Sequence, residues 1–216
     1  MRKIRRHHEK FLKIFNNEFQ NLKKNFSILE FGVSSKALST TIFLDQCKNK
    51  NGKLYSIDIN NYAYHFNSKN WKFLHTRDDN FKYIDKNIPK KFEIIYLDTI
   101  HSAEHVKKIL YHYYKKLKKG GVFVIDDISH LPYLKNREKN NFSLEINNLE
   151  TFEILLDILN SNKENIHLEL SFIGTGVAKI TKLSNFKLKK PQAVSSRKFS
   201  FQNLLRKIYI YTKSKF

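Results

Sequence analysis

The chain has 216 residues, 41% of them hydrophobic and 14% aromatic, so it can bury the core of one domain of ordinary size. The formal charge of +20 is compatible with an anionic partner such as nucleic acid, a membrane surface or a phosphorylated substrate, and equally with codon bias in an AT-rich genome. A lone cysteine excludes an intramolecular disulfide, and the lack of a long apolar run or a secretory signal predicts a cytoplasmic protein.

The first half of the chain alternates short apolar runs with helical patterns. Residues 1–25 are a basic segment that we predict to be helical. Residues 27–31 (SILEF) predict a strand, followed by a turn of small residues and a helix around residues 38–47. Two further short runs, at residues 54–59 and 71–75, also predict strands.

The next elements form a strand-helix-strand unit. Residues 92–97 (FEIIYL) are apolar almost throughout, as in a central strand buried on both faces. A helical pattern starts at Ser102, and we predict that the helix ends near Gly120, where two consecutive glycines stop it. Residues 121–125 (GVFVI) return as another buried strand, which is typical of parallel pairing.

The end of the chain changes in pattern and then in composition. An apolar face predicts a helix over residues 151–159, and two runs at 167–172 and 177–181 predict an antiparallel hairpin. We therefore assign residues 26–183 to one α/β domain. Residues 184–216 form a basic tail without acidic residues, in which an amphipathic helix could contact a membrane surface, pack on its own domain or pair across a homodimer.

Polar residues follow the predicted strands, where open parallel sheets bind their ligands. After the first strand come Gly32 and Ser34, which allow close approach of the backbone to a ligand. The second strand ends at Asp58, at the spacing where nucleoside-binding folds place a carboxylate on the ribose hydroxyls. A glycine loop with an acidic residue is by itself common to many Rossmann-like domains.

The later strands make the pattern more specific. Asp78 follows the third strand, Asp98 and His101 follow the fourth, and Asp126 and Asp127 follow the fifth. With these residues, the chain from about residue 26 to 182 resembles the class I S-adenosylmethionine-dependent methyltransferases. The segments YLDTIH and GGVFVIDD resemble most the branch of macrocin-type sugar O-methyltransferases.

The resemblance implies a Rossmann-like fold with a mostly parallel seven-stranded sheet, an antiparallel terminal hairpin and helices on both faces. It implies that Glu30, Gly32 and Ser34 belong to the cofactor loop, that Asp58 binds the ribose, and that Asp78 lies near the adenine.

The same resemblance implies a role for the remaining acidic residues and the histidine. Asp98 would contact the cofactor and, with Asp126 and Asp127, hold Mg²⁺, which prefers oxygen ligands. His101 would accept the proton of a substrate hydroxyl, since histidine titrates near neutral pH. The expected function is therefore O-methylation of a small molecule, a sugar, with S-adenosylmethionine as methyl donor.

One departure from the family pattern concerns the loop. The family reads Glu-x-Gly-x-x-x-Gly and then Ser or Thr, whereas this chain has Lys36 at the second glycine and reaches Ser39 one residue late. A one-residue insertion would restore the register, while an obstructing Lys36 would favour a catalytically silent binding protein. A nucleic-acid methyltransferase recruited by the basic tail is a further alternative, although no base-methylation signature is present.

Overall fold

The computed structural model describes residues 2–129, 142–172, 175–194 and 200–213. The strands are β1 (Ser27–Phe31), β2 (Lys53–Asp58), β3 (Trp71–His75), β4 (Phe92–Leu97), β5 (Leu117–Asp126), β6 (Ile166–Ser171) and β7 (Val177–Lys182). The α-helices are α1 (Arg2–Asn21), α2 (Leu38–Asn49), α3 (Phe81–Asn87), α4 (Ala103–Tyr113), α5 (Phe142–Asn162) and α6 (Phe201–Lys213).

All seven strands join one sheet in the order β3-β2-β1-β4-β5-β7-β6. The first five strands pair in parallel, whereas β7 lies antiparallel between β5 and β6. Parallel neighbours require crossover connections, and the helices supply them. The predicted fold, a mostly parallel seven-stranded sheet that ends in an antiparallel hairpin, is therefore confirmed.

Hydrophobic cores lie on both faces of the sheet, because successive side chains of a strand point to opposite sides. In β4, Ile95 and Leu97 face the core formed with α4 and α5, while Ile94 and Tyr96 face the core formed with α1 and α2. Both faces of the central strands are thus covered by helices, which explains why these strands read as nearly continuous apolar runs.

The N-terminal helix α1 contributes aromatic rings to the second of these cores. Phe11, Phe15 and Phe19 recur every four residues and therefore lie on one face of the helix. The rings of Phe11 and Tyr96 meet edge to face with centroids 5.1 Å apart, and Phe11 and Phe43 meet at the same distance. Residues 1–25 thus include part of the core that supports β4.

The connection from α4 to β5 differs from the prediction. The helix ends at Tyr113, a 3-10 turn covers Tyr114–Lys116, and β5 already begins at Leu117. Gly120 lies inside the strand with φ +79°, next to a register shift against β4. The predicted end of the helix at Gly120 is wrong, because this glycine serves a bulge in the strand and not a helix terminus.

The first part of the basic tail runs beside α5, where the backbone N–H of Val194 donates to Asp157 Oδ1 over 2.8 Å. Of the tail, residues 195–199 and 214–216 lie outside the described part of the chain. Among the described helices, none has the length and apolar character to cross a bilayer.

Candidate active site

The carboxyl ends of β1, β2, β4 and β5 meet at one edge of the sheet. Phe31 is paired with Ile57 on one side and with Leu97 on the other, and Leu97 is paired with Ile125. The residues that follow these strands therefore lie side by side, as the sequence predicted. Asp98 is joined to this edge through its backbone N–H, which donates to Phe31 O over 2.9 Å.

Gly32 begins the loop after β1 in a conformation that only glycine adopts readily. Its φ is +93°, and a Cβ at this position would lie 1.9 Å from the carbonyl oxygen of Asp98. No rotation of a side chain could relieve that contact, since it involves backbone. The loop after β1 can approach the loop after β4 only because residue 32 is glycine.

Asp58 holds the rest of this loop in place. Its Oδ2 accepts the backbone N–H of Val33 over 2.8 Å and that of Ser34 over 3.4 Å, while its Oδ1 accepts the N–H of Asn60. Ser34 is exposed and has φ +62°. Each carboxylate oxygen has two lone pairs, so these bonds leave Asp58 able to accept from a ligand as well.

The backbone conformation explains why Lys36 stands where the family pattern has its second glycine. Ala37, not Lys36, has the left-handed conformation (φ +45°, ψ +39°) immediately before α2, which matches a one-residue insertion in the family loop. Ser39 and Thr40 then follow at the expected distance. Lys36 is exposed and is not among the residues that line the neighbouring cavity between the loops after β1 to β4.

Glu30 is buried completely and is surrounded by hydroxyl groups. Ser39 Oγ donates to its Oε1 over 2.6 Å, Ser56 Oγ to its Oε2 over 2.6 Å, and Thr40 Oγ1 to Oε2 over 2.9 Å. These bonds connect β1 to the start of α2 and to β2. Burial raises the pKa of Glu30 from its usual 4.5 to about 7, against the lowering effect of the hydroxyl donors.

This raised pKa predicts how stability depends on pH. The folded protein keeps a proton on Glu30 that the unfolded chain releases, so the stabilising contribution is complete below pH 4.5 and is lost as pH rises through about 7. Relative to Glu30→Gln, we expect the free energy of unfolding of the wild type to fall by about 3 kcal/mol over this range. Urea unfolding at about pH 5 and about pH 8 measures the difference. Parallel pH profiles for wild type and Glu30→Gln would contradict it, and Glu164→Gln, an exposed site, is the control.

A cavity of about 270 Å³ opens between the loops that follow β1 to β4. Its walls include Gly32, Asp58, Asp78, Asp98 and, from the third loop, Arg77. The volume lies just under the range of roughly 300–1,000 Å³ typical of small-molecule sites. Four of the residues predicted to contact a cofactor therefore border one cavity.

Asp78 has a partner that the sequence did not reveal. Its Oδ2 accepts Thr99 Oγ1 over 2.6 Å and lies 2.7 Å from His105 Nε2. His105 and His112 are both mostly shielded from solvent. His105 pairs with Asp78, while His112 contacts Asp85 and stacks on Phe81. Both histidines lie on α4, and only the packing of that helix brings them to these aspartates.

Asp98, His101 and Asp127 form a cluster beside this cavity. One ligand-type atom from each residue lies within 4.8 Å of the others. His101 Nε2 is 3.5 Å from Asp127 Oδ2 and 3.7 Å from Asp98 Oδ1. Asp98 belongs both to the cluster and to the cavity wall, so the two features share one boundary.

Asp126 is oriented differently from its neighbour. It is buried, its Oδ2 accepts the hydroxyl of Tyr96 over 2.7 Å, and its Oδ1 accepts Thr175 Oγ1 over 3.3 Å. The Tyr96 hydroxyl also lies 3.4 Å from Asp98 Oδ2, so it stands between two carboxylates. Local sequence patterns did not single out Tyr96. Its spacing of two residues before Asp98, which puts both side chains on the same side of the chain, is the signal that could have identified it.

The crowding of carboxylates affects Asp98. Removal of water by the surrounding protein, and then the charges of Asp126 and Asp127, raise the pKa of this carboxyl well above its usual value. A cation in the cluster would relieve this repulsion. Asp98 and Asp127, with Asp126 behind them, offer the hard oxygen ligands that suit Mg²⁺. These donors therefore fit that ion.

The family model described as "Methyltransferase domain" matches residues 29–128, which include every loop of the cavity. The fold is that of a methyltransferase. No curated protein sequence matches the chain significantly.

Solved structures similar to this chain agree on the fold. The methyltransferase MycE, in complex with Mg, SAH and mycinamycin VI, is 19% identical with a TM-score of 0.57, over 85% of this chain and 51% of MycE. SAH-bound PaMTH1 from Podospora anserina is 13% identical with a TM-score of 0.60, over 82% of this chain and 77% of that one. A protein from Staphylococcus aureus assigned as a caffeoyl-CoA O-methyltransferase is 16% identical with a TM-score of 0.58, over 82% of both chains. The present chain spans about half the length of MycE.

Proposed function

We propose that this chain transfers the methyl group of S-adenosylmethionine to a hydroxyl of a small molecule, specifically a sugar, and so acts as an O-methyltransferase. The observation that carries the proposal is the position of Asp98. It lines the cavity under the Gly32 loop and also belongs to the cluster with His101 and Asp127. A nucleoside in the cavity and a substrate at the cluster would therefore meet at this residue.

The cavity offers suitable groups for the cofactor. Asp58 would bind the ribose through its carboxylate, which lies on the cavity wall after β2. Asp78 would lie near the adenine, held in orientation by Thr99 and His105. Glu30 and Gly32 act indirectly, by fixing the loop through internal bonds and by allowing its close approach to Asp98.

For the metal, Asp98 and Asp127 would be ligands, and Asp126, oriented by the Tyr96 hydroxyl, would lie behind them or ligate directly after a change of rotamer. Mg²⁺ would supply positive charge that orients the oxygens of a substrate and makes a hydroxyl easier to deprotonate. His101, next to both carboxylates, would accept the proton, and their negative charges would stabilise the resulting imidazolium.

The reaction requires little further chemistry from the protein. S-adenosylmethionine supplies an electrophilic methyl carbon on a sulfonium sulfur. As the substrate oxygen forms its bond to that carbon, the carbon–sulfur bond breaks and leaves a neutral thioether, while His101 keeps the proton. The loops at this edge would hold oxygen, carbon and sulfur in line and exclude water.

The choice of a sugar rests on likeness in sequence and fold. The motifs YLDTIH and GGVFVIDD resemble the macrocin-type branch, and MycE has a similar fold and was crystallised with Mg, SAH and mycinamycin VI. Calorimetry with S-adenosylmethionine, followed by mass spectrometry of a panel of sugar acceptors with and without Mg²⁺, tests the proposal. An absence of binding heat would instead support a silent binding protein, and methylation of RNA but of no sugar would favour the nucleic-acid alternative.

His101→Ala provides the sharpest test of the general base. We expect methyl transfer to fall about 10²–10⁴-fold, because the imidazole that would receive the proton is removed, while S-adenosylmethionine still binds as in the wild type. Initial rates and calorimetry measure the two quantities. His167→Ala, an exposed histidine on β6, is the matched control. A variant at His101 that keeps its full rate would remove this residue from the chemistry.

Tyr96→Phe tests whether the buried hydroxyl positions the acidic residues. The ring contacts with α1 remain, so the protein should fold, but Asp126 loses its 2.7 Å hydrogen bond from Tyr96 at a cost of about 1–3 kcal/mol. We expect Mg²⁺ to bind several-fold more weakly, measured by calorimetry. Tyr114→Phe loses a comparable bond to Asn165 O, away from the acids, and should lower stability without changing Mg²⁺ affinity. Equal Mg²⁺ affinity in both variants would show that the role of Tyr96 is structural only.

A further inference from the structure

The helix α6 presents a large apolar surface that the described part of the chain does not cover. Phe201 is 73% exposed, and Leu204 and Ile208 are each 54% exposed. Tyr209 and Tyr211 are also more than half exposed. Isolated helices of this length are marginal in water, so a stable α6 requires a second surface for its apolar face.

The sequence of α6 separates two faces. At 100° per residue, Phe201, Leu204, Leu205 and Ile208 fall on one side of the helix. At the same angle per residue, Arg206, Lys207 and Lys213 fall on the other side of the helix or at its borders. Only Ile210 departs from this division, because it lies among the basic residues.

Charge decides which partner fits this helix. No acidic residue follows Glu169, and the whole chain carries +20. A second copy would bring two basic helices together and increase repulsion. A nucleic acid would engage the basic face but leave Leu204, Leu205 and Ile208 in water. An anionic bilayer surface would accept the apolar face between its headgroups and attract the basic side chains, and so it satisfies both faces.

We infer that α6 is a peripheral anchor that binds the surface of membranes containing anionic lipids, with its axis in the plane of the interface. The long stems of Arg206 and Lys207 lie at the polar side, where they reach lipid phosphates while the apolar face is buried. This anchor would keep the catalytic domain close to acceptors at the membrane. The inference rests on α6 alone and does not depend on methyl transfer.

Two substitutions of identical chemistry test the orientation. Ile208→Asp and Ile210→Asp change the charge equally, but only the first lies on the apolar face. We expect the full chain to bind vesicles of phosphatidylcholine with about 30% phosphatidylglycerol at least tenfold more strongly than pure phosphatidylcholine vesicles in a sedimentation assay. Ile208→Asp should weaken this binding at least tenfold, and Ile210→Asp should remain within about threefold of the wild type.

Several results would overturn the inference. Equal losses in the two variants would mean that charge alone drives binding, and no sedimentation of the wild type would exclude the lipid surface. A dimer in light scattering that becomes monomeric with Ile208→Asp would identify a second copy as the partner. RNA binding that Ile208→Asp leaves unchanged, without vesicle binding, would identify a nucleic acid. Thermal unfolding of both variants should match the wild type, since both side chains are exposed.

Discussion

Replacing Gly32 with alanine is expected to lower the free energy of unfolding by more than about 3 kcal/mol, the largest effect of any single change considered in this chain. The added Cβ would lie 1.9 Å from the Asp98 carbonyl oxygen, at a φ of +93° that alanine rarely adopts. The backbone of β1 or β4 must therefore move, and this displaces Asp98 from both the cavity and the cluster. Urea unfolding and S-adenosylmethionine calorimetry measure the two consequences.

Gly120→Ala is the matched control for Gly32→Ala. Gly120 also has a positive φ, +79°, but no atom lies within 4 Å of the added Cβ. It should therefore show only the cost of the left-handed conformation, about 1–2 kcal/mol. If the two alanine variants lose equal stability, the close approach of the loops after β1 and β4 is not what requires glycine at position 32.

Asp98→Asn is expected to lower methyl transfer by about 10³-fold or more while thermal stability rises. The activity falls because, among the residues that the structure describes, Asp98 is the one shared by the cavity and the acidic cluster, where it would hold the metal. The stability rises because Asn removes one of three neighbouring carboxylates, Asp98, Asp126 and Asp127, that repel one another. A gain of about 2–4 °C in Tm corresponds to roughly 1 kcal/mol for a domain of this size.

A lower rate together with a higher Tm would identify Asp98 as a functional residue. A substitution that disrupts the fold lowers both the rate and the Tm. Asp45→Asn removes a charge from an exposed position on α2 and should change neither quantity measurably. Methylation rates and differential scanning calorimetry of the three proteins provide the comparison. A lower Tm in Asp98→Asn would show that this carboxylate stabilises the fold and would weaken its assignment to the site.

The acidic edge of the sheet could be predicted because it depends on strand order alone. Asp58, Asp98 and Asp126 each follow a buried apolar run, and parallel strands place such residues at one edge. The contacts among them could not be predicted in the same way. The bond from Tyr96 to Asp126 joins positions 30 apart, and that from His105 to Asp78 joins positions 27 apart. Such contacts depend on register and rotamers that no local pattern reports.

Periodicity and chain order were sufficient to predict the succession of strands and helices along the chain, the parallel sheet with its terminal hairpin, and the set of polar residues at its edge. Three features became visible only in the folded chain: Ala37 takes the left-handed position beside Lys36, α4 ends at Tyr113, and Asp127 faces His101 while Asp126 turns to Tyr96. Each of them depends on contacts between segments that are far apart in sequence, and such contacts form only when the chain packs.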